Sequence, residues 1–279
     1  MFVARSHTLF FTINFIMTII SILLASGAGL FMLSEDANFM ILHKTIKLFE
    51  KHVVPQTPHY GDGVGKLIMT ITEKFFIVVF IFSIANLLIC VIGLIAVWSQ
   101  KSTLLNVYQM LVGFQIIGHL ALLIGYYYNK QSLKDHLEIY ARDSMKEYIS
   151  LKSGTPESLF AGSVMALLNC CGAYNNHYEW QFPKFDPVDY YDNIIYKGLN
   201  LPIPCCKMND NLEIINTTCP FHYTTLNSNI GRGCSKLFSE EVTFHTDTLI
   251  LGSISILVVN VIMLCNAVKA VKDFNPTTL

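Results

Sequence analysis

The chain has 279 residues, 52% of them apolar and only 14% charged, with 19 Lys and Arg against 20 Asp and Glu. Ordinary soluble domains carry roughly 25% charged residues, so the composition excludes a soluble cytosolic protein. A net charge of −1 leaves no basic excess to neutralise the phosphates of a nucleic acid.

In chain order, a short amino-terminal segment (1–8) precedes uncharged apolar runs at 9–33, 75–98, 104–128 and 249–268. Each is long enough, at 1.5 Å rise per residue, to cross a hydrocarbon core of about 30 Å. Four transmembrane helices are expected, the first a retained signal anchor, since no A-x-A-like cleavage site follows it. Segment 34–74 forms a first loop. In it Phe39, Leu42, Ile46, Phe49 and Val53 fall at helical spacing with Lys44, Lys47 and Lys51 opposite, an amphipathic helix. His43, His52 and His59 are read as scattered solvent-facing residues, with no metal site. Segment 99–103 is so short that spans two and three must be antiparallel neighbours. Segment 129–248 is a large second loop, and 269–279 a tail on the same side as the amino terminus.

The spans contain no Asp, Glu, Lys or Arg, which argues against a pump or ion-coupled carrier. Their polar residues are neutral: Asn14, Asn86, Gln109, Gln115, His119 and Asn260. Asn14, Thr18, Ser21, Ala25 and Ala28 recur at helical spacing in span one. Ser83, Asn86, Cys90, Gly93 and Val97 do so in span two. Small and hydrogen-bonding residues of this kind let helices associate in lipid. Interhelical hydrogen bonding is the expected use of the polar residues, with a lipid or sterol cavity lined by Asn14, Gln115 and Asn260 as the alternative.

Lys and Arg do not orient the chain: Arg5, Lys101, Lys269 and Lys272 on one side face Lys44, Lys47, Lys51, Lys66 and Lys74 on the other. The large loop does. It holds six of the eight Cys and the N-x-S/T sequon Asn216-Thr217-Thr218, both of which belong on the lumenal or extracellular face. Residues 129–152 continue the helical character of span three, with Leu133, Leu137, Tyr140 and Tyr148 along one face. Ser153-Gly154 should stop that helix, and Thr155 as N-cap with Pro156 at the first position should open another through Leu168. Beyond Cys170-Cys171-Gly172, residues 173–234 lose helical periodicity and carry five Pro, a segment that needs covalent help to hold one shape. Six Cys allow fifteen pairings, ten of them without a bond between adjacent residues, and spacing alone goes no further.

Four spans with a very short inner turn, Cys-Cys-Gly in a large second loop, Pro202-Ile203-Pro204-Cys205 and Gly233-Cys234 together resemble a tetraspanin over the whole chain. The resemblance implies an all-α membrane protein: a four-helix transmembrane bundle with a disulfide-stapled, mainly helical large extracellular loop whose variable subregion is 173–234. It also implies the pairs Cys170–Cys234, Cys171–Cys205 and Cys206–Cys219, and a small loop seated beneath the large one. The chain departs from the family pattern at Pro204, where Ser is usual, and at Gly93-Leu94-Ile95-Ala96, which replaces a common Gly-Cys-Cys-Gly. Asn260 stands where span four often has Glu or Gln, and span three lacks an acidic residue often present in the family.

The implied function is a non-enzymatic scaffold that gathers other integral membrane proteins, including other tetraspanins, laterally in cis at the plasma membrane, with an endosomal location as the alternative. Trp180, Phe182 and Phe185, within an aromatic-rich stretch, are the expected partner-facing anchors. Asn216 is the expected glycosylation site and Cys265 the candidate palmitoylation site. Thr277, Thr278 and Leu279 form a carboxyl terminus that fits a PDZ groove. No cofactor is expected beyond a bound sterol or other membrane lipid. A four-span junction or pore-forming protein is the alternative, but such proteins usually place disulfides in the first loop, where this chain has no Cys. No motif for a hydrolase, a phosphate-binding enzyme or a Cys-x-x-Cys oxidoreductase occurs.

Overall fold

The computed structural model describes residues 2–33, 60–174 and 184–274, with side chains described for 8–30, 77–174 and 184–272. The amphipathic stretch 39–53 and His43, His52 and His59 lie outside the described residues, as do Trp180, Phe182 and residues 275–279. The described elements run α1 (Phe2–Leu33), α2 (Tyr60–Ser99), α3 (Ser102–Lys146), a 3₁₀ turn (Leu151–Ser153), α4 (Pro156–Leu167), β1 (Val188–Tyr191), β2 (Ile194–Lys197), a second 3₁₀ turn (Ile203–Cys205) and α5 (Cys234–Phe274). Four of these helices are long and apolar enough to cross a membrane, with spanning segments at Thr8–Leu30 and Ile77–Ser99 and within Ser102–Lys146 and Cys234–Lys272.

The chain divides into two units. One holds the described residues through Leu33, Thr72–Asn129 and the stretch from Thr246. The other holds Tyr60–Ile71 and Lys130–His245. In the membrane unit most large apolar side chains point outward, Leu23, Ile81, Phe114 and Leu251 among them, as they should when lipid rather than water is the solvent. Many of the buried positions are instead small or polar: Asn14, Ser21, Ala25 and Ala28 on α1, and Ser83, Cys90 and Ala96 on α2. Phe10, Met17, Tyr108, Val112, Met263 and Ala267 fill the centre. The α2–α3 turn is as tight as its sequence requires: Gln100 adopts a left-handed conformation (φ 51°), its N–H closes on the Val97 carbonyl, and α3 starts at Ser102.

The large-loop unit is built on a different plan. Helix α3 ends at Lys146 rather than continuing to Lys152, because the next residues are claimed by the domain core: Tyr148 and Leu151 are both buried. Ser150 is extended and caps the 3₁₀ turn by accepting from Ser153 N–H, and Gly154 (φ 64°) closes it. Thr155 then caps α4, its hydroxyl accepting from Ser158 N–H, with Pro156 at the first helical position. Gly162 lets α4 approach that turn, since a Cβ there would lie 2.5 Å from Leu151 Cδ2.

The region read from sequence as irregular contains a hairpin. β1 and β2 pair antiparallel with Val188 opposite Lys197 and Tyr191 opposite Ile194. Asp192 and Asn193 form the two-residue turn, both at positive φ (50° and 64°), the requirement of a type I′ connection. Tyr191 and Tyr196 face the core with Leu159, Met165 and Ile203, and Cys170, Cys171, Cys205 and Cys234 close around it.

Candidate functional site

Three disulfides staple the large loop: Cys170–Cys234, Cys171–Cys205 and Cys206–Cys219, with sequence separations of 64, 34 and 13. All six residues are buried. Taken singly, loops of these lengths restrict the unfolded chain by about 4.3, 3.8 and 3 kcal/mol, comparable with the whole stability of a small domain, about 5–15 kcal/mol. The glycines of the two motifs have a mechanical reason. Gly172 sits at φ 72°, turning the chain so that its carbonyl accepts from Cys234 N–H at 2.8 Å. Gly233 lies flat on the opposing backbone: a Cβ there would stand 2.7 Å from the Tyr174 carbonyl carbon and 2.8 Å from the Ala173 oxygen. The two strands of the staple therefore meet backbone to backbone.

A buried carboxylate ties the hairpin to the α3–α4 connection. Asp189, only 1% exposed, accepts from Leu151 N–H (2.9 Å), Lys152 N–H (3.0 Å), Tyr190 N–H (2.8 Å) and the Tyr148 hydroxyl (3.3 Å). Burial outweighs these donors and holds its carboxyl above the ordinary carboxylate range. Sequence reasoning missed this residue. The sequence signal was the two-residue period of a strand, which puts Asp189 on the same face as Tyr191, an acid where an apolar side chain is expected; in the structure both are buried. Tyr191 donates to the Leu212 carbonyl and Tyr223 to the Leu201 carbonyl (2.7 Å), so the irregular segment 199–223 is also held by tyrosine hydroxyls.

Phe185 is half-buried in this packing, its ring stacked on Tyr148 at 6.3 Å between centroids. The outward apolar side chains of the described variable subregion are others: Ile195 (61% exposed), Phe221 (62%) and Leu226 (86%), with Ile194 and Ile215. Phe221 lies against Tyr196 of β2 at 5.6 Å, which joins it to the hairpin. Ile215 and Leu226 flank Lys207, whose backbone carbonyl accepts from Ile215 N–H and whose ammonium donates to the Thr225 and Leu226 carbonyls. Asn216 is exposed, and its Oδ1 accepts from both the N–H (3.0 Å) and the hydroxyl (2.8 Å) of Thr218.

In the membrane unit the polar residues form two separate clusters. Gln115 Nε2 donates to Asn86 Oδ1 (3.0 Å), and Asn86 Nδ2 donates to Ser21 Oγ (2.6 Å), a ladder across α3, α2 and α1. Asn14 Oδ1 accepts from the Tyr108 hydroxyl (3.1 Å) and its Nδ2 donates to the Phe10 carbonyl. Gly93 makes room for that pair, since a Cβ would fall 2.7 Å from the Tyr108 ring and 2.8 Å from Asn14 Oδ1. Asn260 is buried with neither amide atom hydrogen-bonded, so Asn14, Gln115 and Asn260 share no network. Near the outer end of the bundle Tyr126 donates to Asp247 at 2.8 Å, clasping α3 to α5. Cys265 is exposed and unoxidised; Cys90 is unoxidised and buried in the bundle.

The family model described as the Tetraspanin family matches residues 6–271, all four spans and the entire stapled loop. No curated protein matches the chain. With the four-helix bundle, the Cys-Cys-Gly and Gly-Cys backbone contact and a match across nearly the full length, the chain belongs to the tetraspanin family.

Proposed function

We propose that this tetraspanin is a lateral organiser: it gathers other integral membrane proteins, including other tetraspanins, in cis through its large extracellular loop and its transmembrane helices. The observation that supports this reading is the exposure of Ile195, Phe221 and Leu226, large apolar side chains carried on a head that disulfides and a buried carboxylate hold rigid. Rigid exposed apolar groups bind with little ordering cost, which is the requirement for an interface anchor. Trp180 and Phe182 belong to the same variable subregion and are included in the proposed surface. The bundle contributes its own specificity by helix packing in lipid.

Several modifications and ligands complete the proposal. Asn216 carries an N-linked glycan, Cys265 a thioester-linked acyl chain near the inner leaflet, and Thr277 to Leu279 engage a PDZ groove at the plasma membrane. A sterol or other lipid hydroxyl answers the unpaired amide of Asn260. The central test is crosslinking in mild detergent from cells expressing wild type, the Ile195→Asp, Phe221→Asp double variant, or the Trp180→Ala, Phe182→Ala pair. Surface delivery should be unchanged and recovery of specific membrane partners should fall at least severalfold, the scale of losing one or two anchors at about 1–2 kcal/mol each. Undiminished recovery from both variants rejects the surface, and single-channel current from purified protein in bilayers rejects the scaffold reading in favour of a pore.

A further inference from the structure

We propose that glycosylation of Asn216 is ordered before closure of the Cys206–Cys219 disulfide, so that the oxidation of this one bond ends the period in which the site can be modified. This rests on Asn216 carrying a glycan. The sequon has two working parts, the Asn216 amide nitrogen that receives the sugar and the Thr218 hydroxyl that the transferase must read. In the folded loop the first is available: Asn216 is exposed, and Nδ2 makes no hydrogen bond to any described residue. The second is not. A threonine hydroxyl has one proton to give and two lone pairs. Thr218 spends its proton on Asn216 Oδ1 at 2.8 Å and accepts from Asn227 Nδ2 at 2.9 Å. Asn227 is itself buried, its Nδ2 donating also to the His222 carbonyl (2.7 Å) and its Oδ1 accepting from Thr224 N–H (2.7 Å). Backbone bonds from Cys219 N–H to the Asn216 carbonyl and from His222 N–H to the Thr218 carbonyl wind the same stretch into consecutive turns.

Cys219 follows Thr218 directly, and its bond to Cys206 holds the sequon in that coil. The product, unlike the reaction, fits the fold. In the transfer, a bond forms between Nδ2 and the anomeric carbon of a polyisoprenyl-diphosphate oligosaccharide. The carbon–oxygen bond to the diphosphate breaks, the diphosphate leaves with the electron pair, and Nδ2 gives one proton to a base. The glycosylated amide keeps its carbonyl, so the Thr218 contacts to Oδ1 can form afterwards with the glycan directed outward. Closure then follows by exchange with a disulfide-bearing oxidoreductase of the secretory pathway. Cys206 and Cys219 become the disulfide, and the oxidoreductase disulfide becomes a dithiol holding both hydrogens.

The test uses full-length protein made without N-glycans and held in mild detergent. It is incubated with purified oligosaccharyltransferase and its lipid-linked donor, and occupancy is read by peptide mass spectrometry. The Cys206→Ser, Cys219→Ser variant is expected to be modified about a hundredfold faster than oxidised wild type, the factor by which a closed loop of this length disfavours opening. Asn227→Asp removes the donor to Thr218 and to the His222 carbonyl but keeps the acceptor for Thr224. With all three disulfides verified by non-reducing peptide mapping, it should be modified about thirtyfold faster, the worth of two hydrogen bonds. Equal rates for wild type and the double Ser variant overturn the ordering, and no acceleration in Asn227→Asp overturns the part assigned to the hydroxyl. Acceptance only of a linear peptide spanning 212–223 overturns the role of the disulfide. Rejection of that peptide too removes Asn216 as an acceptor, and the site reading falls with the ordering.

Discussion

Replacing Asp189 by Ala should loosen the large loop from the inside. The carboxylate serves four donors, of unequal cost once it is gone. Lys152 is exposed and Tyr190 half-buried, so their N–H groups can turn to water. Leu151 N–H and the Tyr148 hydroxyl cannot, because both residues are buried. A buried donor left without an acceptor costs about 1–3 kcal/mol, so we predict a local loss of about 3–5 kcal/mol once the emptied space is included. The disulfides do not cross this joint, since the half-cystines all lie at 170 or beyond, and cannot compensate for it. In full-length protein in detergent, hydrogen exchange at Leu151, Lys152 and Tyr190 should therefore accelerate by about two to four decades, while α1 and the spanning part of α2 keep their protection. The Asn variant should behave similarly, because its amide turns two hydrogens toward donors. Unchanged exchange at Leu151 and Tyr190, or a loss below about 1 kcal/mol, would refute the assignment of Asp189 as the keystone of this joint.

Because burial raises the Asp189 carboxyl above its ordinary 3.8, its contribution relative to Asp189→Asn should be full below that value. It should then decline as the pH rises through the folded-state value; a wild-type advantage that grows with pH contradicts the direction of the shift. Gly233→Ala should prevent the close backbone contact with Ala173 and Tyr174, leaving Cys170 and Cys234 as thiols that a maleimide labels under non-reducing conditions. Complete oxidation in that variant would show that the contact is dispensable. Gly93→Ala should force Tyr108 from Asn14 and lower the detergent melting temperature of the bundle, at a cost of about 1–3 kcal/mol. Tyr108→Phe tests the same hydrogen bond without the steric change, and equal melting temperatures for it and wild type would assign the whole effect to crowding.

The four spans were legible because lipid demands long uncharged runs, and α4 because Thr155 and Pro156 carry its start in their own chemistry. The end of α3 was not legible: the helical pattern of 129–152 is real, but tertiary demand for Tyr148 and Leu151 in the core overrides it after Lys146. The hairpin was legible in principle, since Asp192-Asn193 is flanked by aromatic and β-branched residues. The prolines on either side masked it. Which polar residues meet across the membrane was beyond any local pattern. Gln115 finds Asn86 and Asn14 finds Tyr108 through helix rotation, which a single sequence does not encode in any short window. Spacing likewise left ten cysteine pairings open. Phe185 shows the limit of composition: an aromatic in a recognition-rich stretch is packed on Tyr148.

The three sulfur bridges, written as arcs over the sequence, never cross. The arc from 171 to 205 and the arc from 206 to 219 stand side by side under the arc from 170 to 234, like two bracketed clauses within one sentence. No bridge has to be threaded through another. The clause from 206 to 219 can be lengthened, shortened or rewritten while the punctuation around it stays in place. A chain written this way can change what its head says to a neighbour without relearning how to fold.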